Sequence, residues 1–191
     1  MDFLKDTYYQ EKLDKLSFTE ENIQSKVFDE CEFNSCIFIN CKFDNCRFLH
    51  CTFNECDLSN MIPMNCQFRE VEFIKCKAIG IDWTKAEKLK ELSFSECLIN
   101  YSNFRLLKLP ETRIIKCEVK EIDFIETDLS KGVLKDTNFE NSVFFKTNLT
   151  DSDFRGATNY SIDINTSNLK KARFSLPEAL SLLYNLDIIV E

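Results

Sequence analysis

Ten cysteines, one histidine and 32 carboxylates are the side chains of this 191-residue chain from which chemistry could arise. Thiols form disulfides, hold soft metals or act as nucleophiles. The spacing here argues against each. Cys31, Cys36, Cys41, Cys46, Cys51 and Cys56 follow one another at five-residue steps, and Cys66, Cys76, Cys97 and Cys117 occupy the same slot of the same period. A repeated CxxxxC reports a structural period, whereas a metal needs ligands converging from a few directions, usually with histidine or carboxylate help. The one histidine, His50, falls in a different slot, so neither a Cys-His nor a Ser-His pair is expected. No Gly-rich phosphate loop is present. The chain therefore reads as non-enzymatic, with no catalytic residue, cofactor or metal and no small-molecule substrate. Cys31 and Cys51, Cys36 and Cys56, and Cys97 and Cys117 are each 20 residues apart and could stack within crosslinking reach. They are read as free, buried thiols, which pack as small hydrophobes.

What positions those thiols is a repeat of large apolar residues two places further on. Phe33, Phe38, Phe43, Phe48, Phe53 and Leu58 are its centres beside the cysteine run. The frame extends back to Phe18 and forward to Trp83, slips by one residue, and resumes from Leu89 to Phe174, passing through Asn159 and Ile164. An α-helix turns about 100° per residue, so a five-residue step rotates about 140° and leaves no apolar stripe. A flat strand fails too, because centres an odd number apart would point to opposite faces. The chain must bend once per pentad and stack on itself as a solenoid. The centre and the residue two before it then face inward, and the other three slots face water. Where cysteine is absent, the minus-two slot is mostly small: Ser102, Thr112, Thr127, Thr137, Ser142, Thr147, Ser152 and Ala157. A large residue beside a small one fills a narrow interior.

The pattern of small residue, polar residue, Leu or Phe, and two further polar residues resembles the pentapeptide repeat family over roughly residues 17–174. The resemblance implies an all-β, right-handed quadrilateral β-helix with four pentads per coil. About eight coils would make a rod about 40 Å long at roughly 4.8 Å per layer. Five segments are expected: an N-terminal cap over 1–16, a first half-helix over 17–83, a crease over 84–93, a second half-helix over 94–174 and a tail over 175–191. The stretch GIDWTKAEKLKELSF carries the slip, with a bulge or short loop near 84–91 and Trp83 in the core at the crease. Pro63 sits at a centre, lacks a ladder N–H, and predicts a local bulge or loop. In the tail, Ser175 and Glu178 read as a capping box around Pro177, opening a C-terminal α-helix that Asn185 could end, with an extended piece from Leu186 to Val190.

The tail's apolar residues Leu176, Leu180, Leu183, Tyr184, Leu186 and Ile188 cannot all be hidden against one coil end. They cap a monomer or join two chains as a homodimer. A coil with a mid-chain irregularity and such a tail is similar to the quinolone-resistance pentapeptide proteins. That resemblance implies a dimeric DNA mimic that binds DNA gyrase or topoisomerase IV. Duplex DNA carries about one charge per 1.7 Å, or on the order of 23 over 40 Å. This chain has 32 acidic and 24 basic residues, a net charge of −8, so mimicry requires the acids to segregate. Residues 118–163 hold ten acids against five bases, and Asp123, Glu126, Asp128, Asp151, Asp153 and Asp163 are the candidate partner-binding surface. Ile125, Val143 and Phe145 occupy outward slots as a candidate apolar patch. The alternative function is a structural or protein-interaction scaffold. Three Gly and three Pro are too few for flexible linkers, and the start lacks the basic-then-apolar order of a signal peptide. A cytoplasmic protein with no direct nucleic-acid or membrane contact is expected.

Overall fold

The computed structural model describes residues 3–184 together with Leu186 and Ile188. The chain forms a parallel β-solenoid of about eight turns with little helix. Each pentad contributes a short extended stretch around its apolar centre, as in Glu32–Asn34, Ile37–Ile39 and Lys42–Asp44. Two places after the centre, the backbone enters the left-handed region. Non-glycine φ values of 51–64° recur there, from Gln10, Lys15 and Glu20 at one end to Asp151 at the other. Such a conformation costs an L-residue about 1–2 kcal/mol. The cost is offset where the corner N–H finds a carbonyl on the following coil: Gln10 donates to Asp29 at 3.0 Å, Glu30 to Leu49 at 2.9 Å and His50 to Arg69 at 2.9 Å. Corners that satisfy their own backbone groups allow polar residues to turn the chain without glycine.

Four corners close a coil, so partners lie 20 residues apart. Tyr8 aligns with Phe28, Phe28 with Phe48 and Phe48 with Phe68 on one face. Leu13, Phe33, Phe53 and Phe73 align on the next. The apolar centres therefore stack in columns, with ring centroids 5.1 Å apart for Phe28–Phe48, 4.8 Å for Phe48–Phe68 and 4.4 Å for Phe33–Phe53. Neighbouring columns meet edge to face, as Phe43 does with Phe48 at 5.4 Å. Each buried ring contributes roughly 1.5–3 kcal/mol, plus about 0.5–1.5 kcal/mol for a well-placed aromatic pair.

The leading segment is itself a coil rather than a separate cap. Thr7–Tyr9 pairs with Val27–Asp29 and Lys12–Asp14 with Glu32–Asn34, while Phe3 closes the shaft against Phe18 at 5.1 Å. The acidic minus-two residues are tolerated at this end because neither is fully buried: Asp6 is exposed 3.0 Å from Lys26, and Glu11 is half-buried 2.9 Å from Lys5. Pro63 makes no bulge. It lies within the strand Ile62–Met64, in register with Phe43. The carbonyl that would receive its missing N–H belongs to Asp82, and there a 3₁₀ turn over Trp83–Lys85 supplies the Lys85 N–H at 3.2 Å instead.

At the slip, one coil takes 21 residues. Gln67–Ile74 and Lys88–Ser95 stay paired at seven positions, with Phe68 opposite Leu89 and Phe73 opposite Phe94, so the extra residue interrupts no ladder. Trp83 is fully buried there, edge-on to Phe68 at 5.4 Å and stacked on Phe104 at 5.9 Å.

Near the end, Asn159 and Ile164 are not the interior residues. Asn159 is exposed at a left-handed corner with φ 56°, and Tyr160 and Ile162 fill the shaft, the latter in register with Phe144. An amide buried among phenylalanines would lose its hydrogen bonds, whereas asparagine tolerates the left-handed conformation. The turn after Asp163, closed by the Ser167 N–H on its carbonyl at 3.0 Å, restores the frame. The expected C-terminal α-helix is a six-residue 3₁₀ segment, Glu178–Leu183. Ser175 and Glu178 form no capping box. The Ser175 hydroxyl accepts from the Gly156 N–H at 2.9 Å, and the Glu178 carboxylate from the Asn159 N–H at 3.0 Å, so both tie the segment to the last coil. Asn185, the expected helix end, and most of the expected extended piece lie outside the described residues.

Candidate functional site

All ten thiols are buried. Their sulfur atoms belong to the coil-to-coil hydrogen-bond network. The Cys56 thiol donates to the Phe33 carbonyl at 3.3 Å, while its sulfur accepts from the Cys36 N–H at 3.3 Å. Cys66, Cys76 and Cys97 repeat the arrangement. Hydroxyls take over where cysteine ends: Thr137 accepts from the Cys117 N–H at 3.3 Å and donates to the Ile114 carbonyl at 3.1 Å. Sequence reasoning saw only small size in this slot. The signal it missed is that Cys, Ser and Thr all carry an atom that both donates and accepts. Burial pushes the Cys51 thiol up to about 12 and also raises Cys31 and Cys41. Such thiols are poor nucleophiles and poor ligands. Among the described residues, no group of three or more His, Cys, Asp or Glu is placed to hold a metal. His50 stands at an exposed corner, 3.0 Å from Asp29 and 3.6 Å from Glu70.

Asp123, Glu126 and Asp128 follow one another across a single corner, and Asp151 and Asp153 across another, while Asp163 stands apart at the irregular last coil. Several are neutralised locally. Arg105 lies 3.7 Å from Asp123 and Lys146 3.8 Å from Glu126. Arg155 lies 2.6 Å from Asp153, and its side-chain hydrogen bond holds that carboxyl below the usual carboxylate range. Asp128 accepts from the Ser130 N–H at 3.0 Å and the Asn148 amide at 2.9 Å, and Asp163 from the Asn165 N–H at 2.8 Å. Val143 and Phe145 are exposed on either side of buried Phe144. Ile125, half-buried, lies on the neighbouring coil, where the Glu126 N–H meets the Phe145 carbonyl at 2.8 Å. The apolar trio thus shares one face.

At the C-terminal end, Leu180, Leu183, Tyr184, Leu186 and Ile188 line an apolar groove of about 390 Å³. Leu176 is 75% exposed but lies outside it. Leu182, which sequence reasoning passed over, packs on the core. Tyr160 beneath the segment was hidden by the frame running through Asn159. Burial, with Glu178 nearby, pushes its hydroxyl up to about 12.

No curated protein matches the sequence. Among solved structures, a trypsin-treated variant of QnrB1, a plasmid-mediated fluoroquinolone resistance protein, is similar at 22% identity and a TM-score of 0.71, covering 97% of this chain and 98% of that one. Full-length QnrB1 is similar at 21% identity and a TM-score of 0.66, covering 95% of this chain and 100% of that one. The profile described as a pentapeptide repeat region matches residues 26–104, and that of eight pentapeptide repeat copies matches residues 122–158. With columns of stacked centres, a recurring left-handed corner and both profiles in agreement, the chain belongs to the pentapeptide repeat family.

Proposed function

We propose that this protein is a non-enzymatic rod that binds a type II topoisomerase, DNA gyrase first, as a dimeric DNA mimic and so alters the action of quinolones. The observation that carries the reading is end-to-end correspondence with a fluoroquinolone resistance protein, over 97% of this chain and 98% of that one. The apolar groove at one end supports it further, because a two-fold contact there would double the rod and cover Leu180, Tyr184 and Ile188. Asp123, Glu126 and Asp128 across one corner, and Asp151 with Asp153 across another, would meet a cationic DNA-binding surface. The test is a gyrase supercoiling assay with and without a quinolone. Inhibition of supercoiling, or rescue from the drug, at micromolar protein supports the reading, and no effect on either removes it.

One observation favours a second reading, an interaction scaffold for another protein. Arg105, Lys146 and Arg155 lie against Asp123, Glu126 and Asp153, which breaks the acidic surface into patches where duplex DNA is continuously charged. Among the described residues, no helix is long and apolar enough to cross a membrane.

A further inference from the structure

The strand register gathers bases that are scattered in the sequence. Arg47, Gln67 and Lys88 align on one face, and Arg69 aligns with Lys90 beside them. The 20-residue register that pairs Ser93 with Arg113 sets Lys108 above Lys88. With Lys85 at the preceding corner, this face carries six exposed cations over four coils. Within these four coils Glu87 accepts from the Gln67 amide at 2.9 Å, Lys85 lies 3.8 Å from Asp82, and Asp128 follows Lys108 in register on the next coil, where it bounds the strip. Arg69 and Lys90 lean on Glu70 and Glu91 at 3.1 Å and 2.8 Å. Among the described residues, Arg47, Lys88 and Lys108 pair with no carboxylate. In a chain of net charge −8, such a local excess is the reverse of the whole-molecule balance.

We infer that this face is a docking strip for an extended acidic segment of a partner protein. Its geometry selects the partner. Coils are about 4.8 Å apart and alternate residues on a strand about 6.6 Å apart, so Arg47 to Lys108 spans about 14 Å along the rod, the reach of about five extended residues. Glu70, Glu91 and Glu111 stand at successive left-handed corners along one border of the strip. A duplex, wider than the strip, would press its phosphates onto that acidic border, whereas a single polypeptide fits beside it. Leu106, 64% exposed at the opposite border, offers apolar contact to a residue flanking the carboxylates. Charge complementarity of this kind sets encounter rate and specificity, and is weakened by salt.

The test uses the full chain and a fluorescent peptide of about eight residues that alternates Asp with Leu or Ala, read by anisotropy. Binding is expected at low salt and is lost by about 0.3 M salt, where the screening length falls below about 6 Å. Lys88→Glu with Lys108→Glu should weaken it about tenfold or more, equivalent to about 1.4 kcal/mol. Lys75→Glu with Lys116→Glu, the same charge change at a remote corner, should weaken it about twofold or less. Circular dichroism melts confirm that all variants fold. The inference is overturned if the peptide does not bind at low salt, if the remote pair weakens binding as much, or if a short DNA duplex binds more tightly than the peptide.

Discussion

At the residue scale, the thiols are structural hydrogen-bonding groups, and their protection is measurable. In native protein they should resist alkylation, while unfolded protein without reductant should take up label at all ten positions. A mass count below ten would reveal crosslinks between stacked coils. Their titration has a definite sign. An unfolded thiol loses its proton near about 8.5, whereas folded Cys51 holds it up to about 12. The stability Cys51 contributes is whole below about pH 8.5 and is lost as pH rises toward 12. The melting temperature should fall on the alkaline side, and less so in Cys51→Ala. Asp153 has the opposite sign: its folded carboxyl is held low by Arg155, so its contribution is present above the ordinary carboxylate range and lost as pH falls. Gly80, at φ +69°, is the corner where a Cβ would strike the Asn60 side-chain oxygen, and the Asn60 amide in turn donates to Asn40 at 3.1 Å. Gly80→Ala should cost about 1–2 kcal/mol in a denaturant melt.

At the element scale, the solenoid absorbs irregularities by matching one defect with another. The donor lost at Pro63 meets a carbonyl already occupied by the turn at Trp83–Lys85. Pro63→Ala should therefore change stability by less than about 1 kcal/mol, because the new N–H must share the Asp82 carbonyl with Lys85 while one ring's packing is lost. A much larger loss would show that the proline itself holds the coil. The C-terminal segment is tied down by Ser175 and Glu178. Ser175→Ala with Glu178→Ala should free it at about 1 kcal/mol per bond. Faster hydrogen exchange at the Gly156 and Asn159 amides, with none at Phe48, is the expected readout. These features were only partly legible beforehand. Cys41 with Phe43 reads as an interior pair from spacing alone. Asn159 does not read as a corner, because two residues leave one side of that coil and two return after Asp163, a balance no five-residue window contains. The tail's helical spacing was also real, yet so short a segment gains more from donors on the last coil than from its own i to i+4 bonds.

At the scale of the whole molecule, coil ends decide assembly. The N-terminal end is closed by Phe3 and leaves the first coil as an edge, while the C-terminal end is covered by the 3₁₀ segment with an apolar groove beside it. If two chains join through that groove, Leu180→Glu with Tyr184→Glu should convert dimer to monomer in light scattering while leaving the melt of the rod nearly unchanged. A wild-type protein that is monomeric at tens of micromolar would remove the dimer. The same variant separates assembly from partner binding in the supercoiling assay, since a monomer presents only half the proposed mimic.

By itself the sequence determined the shaft. A bend every fifth residue, an apolar centre and a small inward neighbour are local demands, met within each pentad and repeated from Phe18 to Phe154 whatever lies elsewhere. Only the tertiary structure decided what faces what. A side chain's position on the rod depends on how many residues close each coil, and a single 21-residue coil at the slip shifts every later residue relative to every earlier one. That closure put Arg47, Lys88 and Lys108 on one face, split the acids between two corners and set Arg105 against Asp123, because charges far apart along the chain interact only after the coils have stacked.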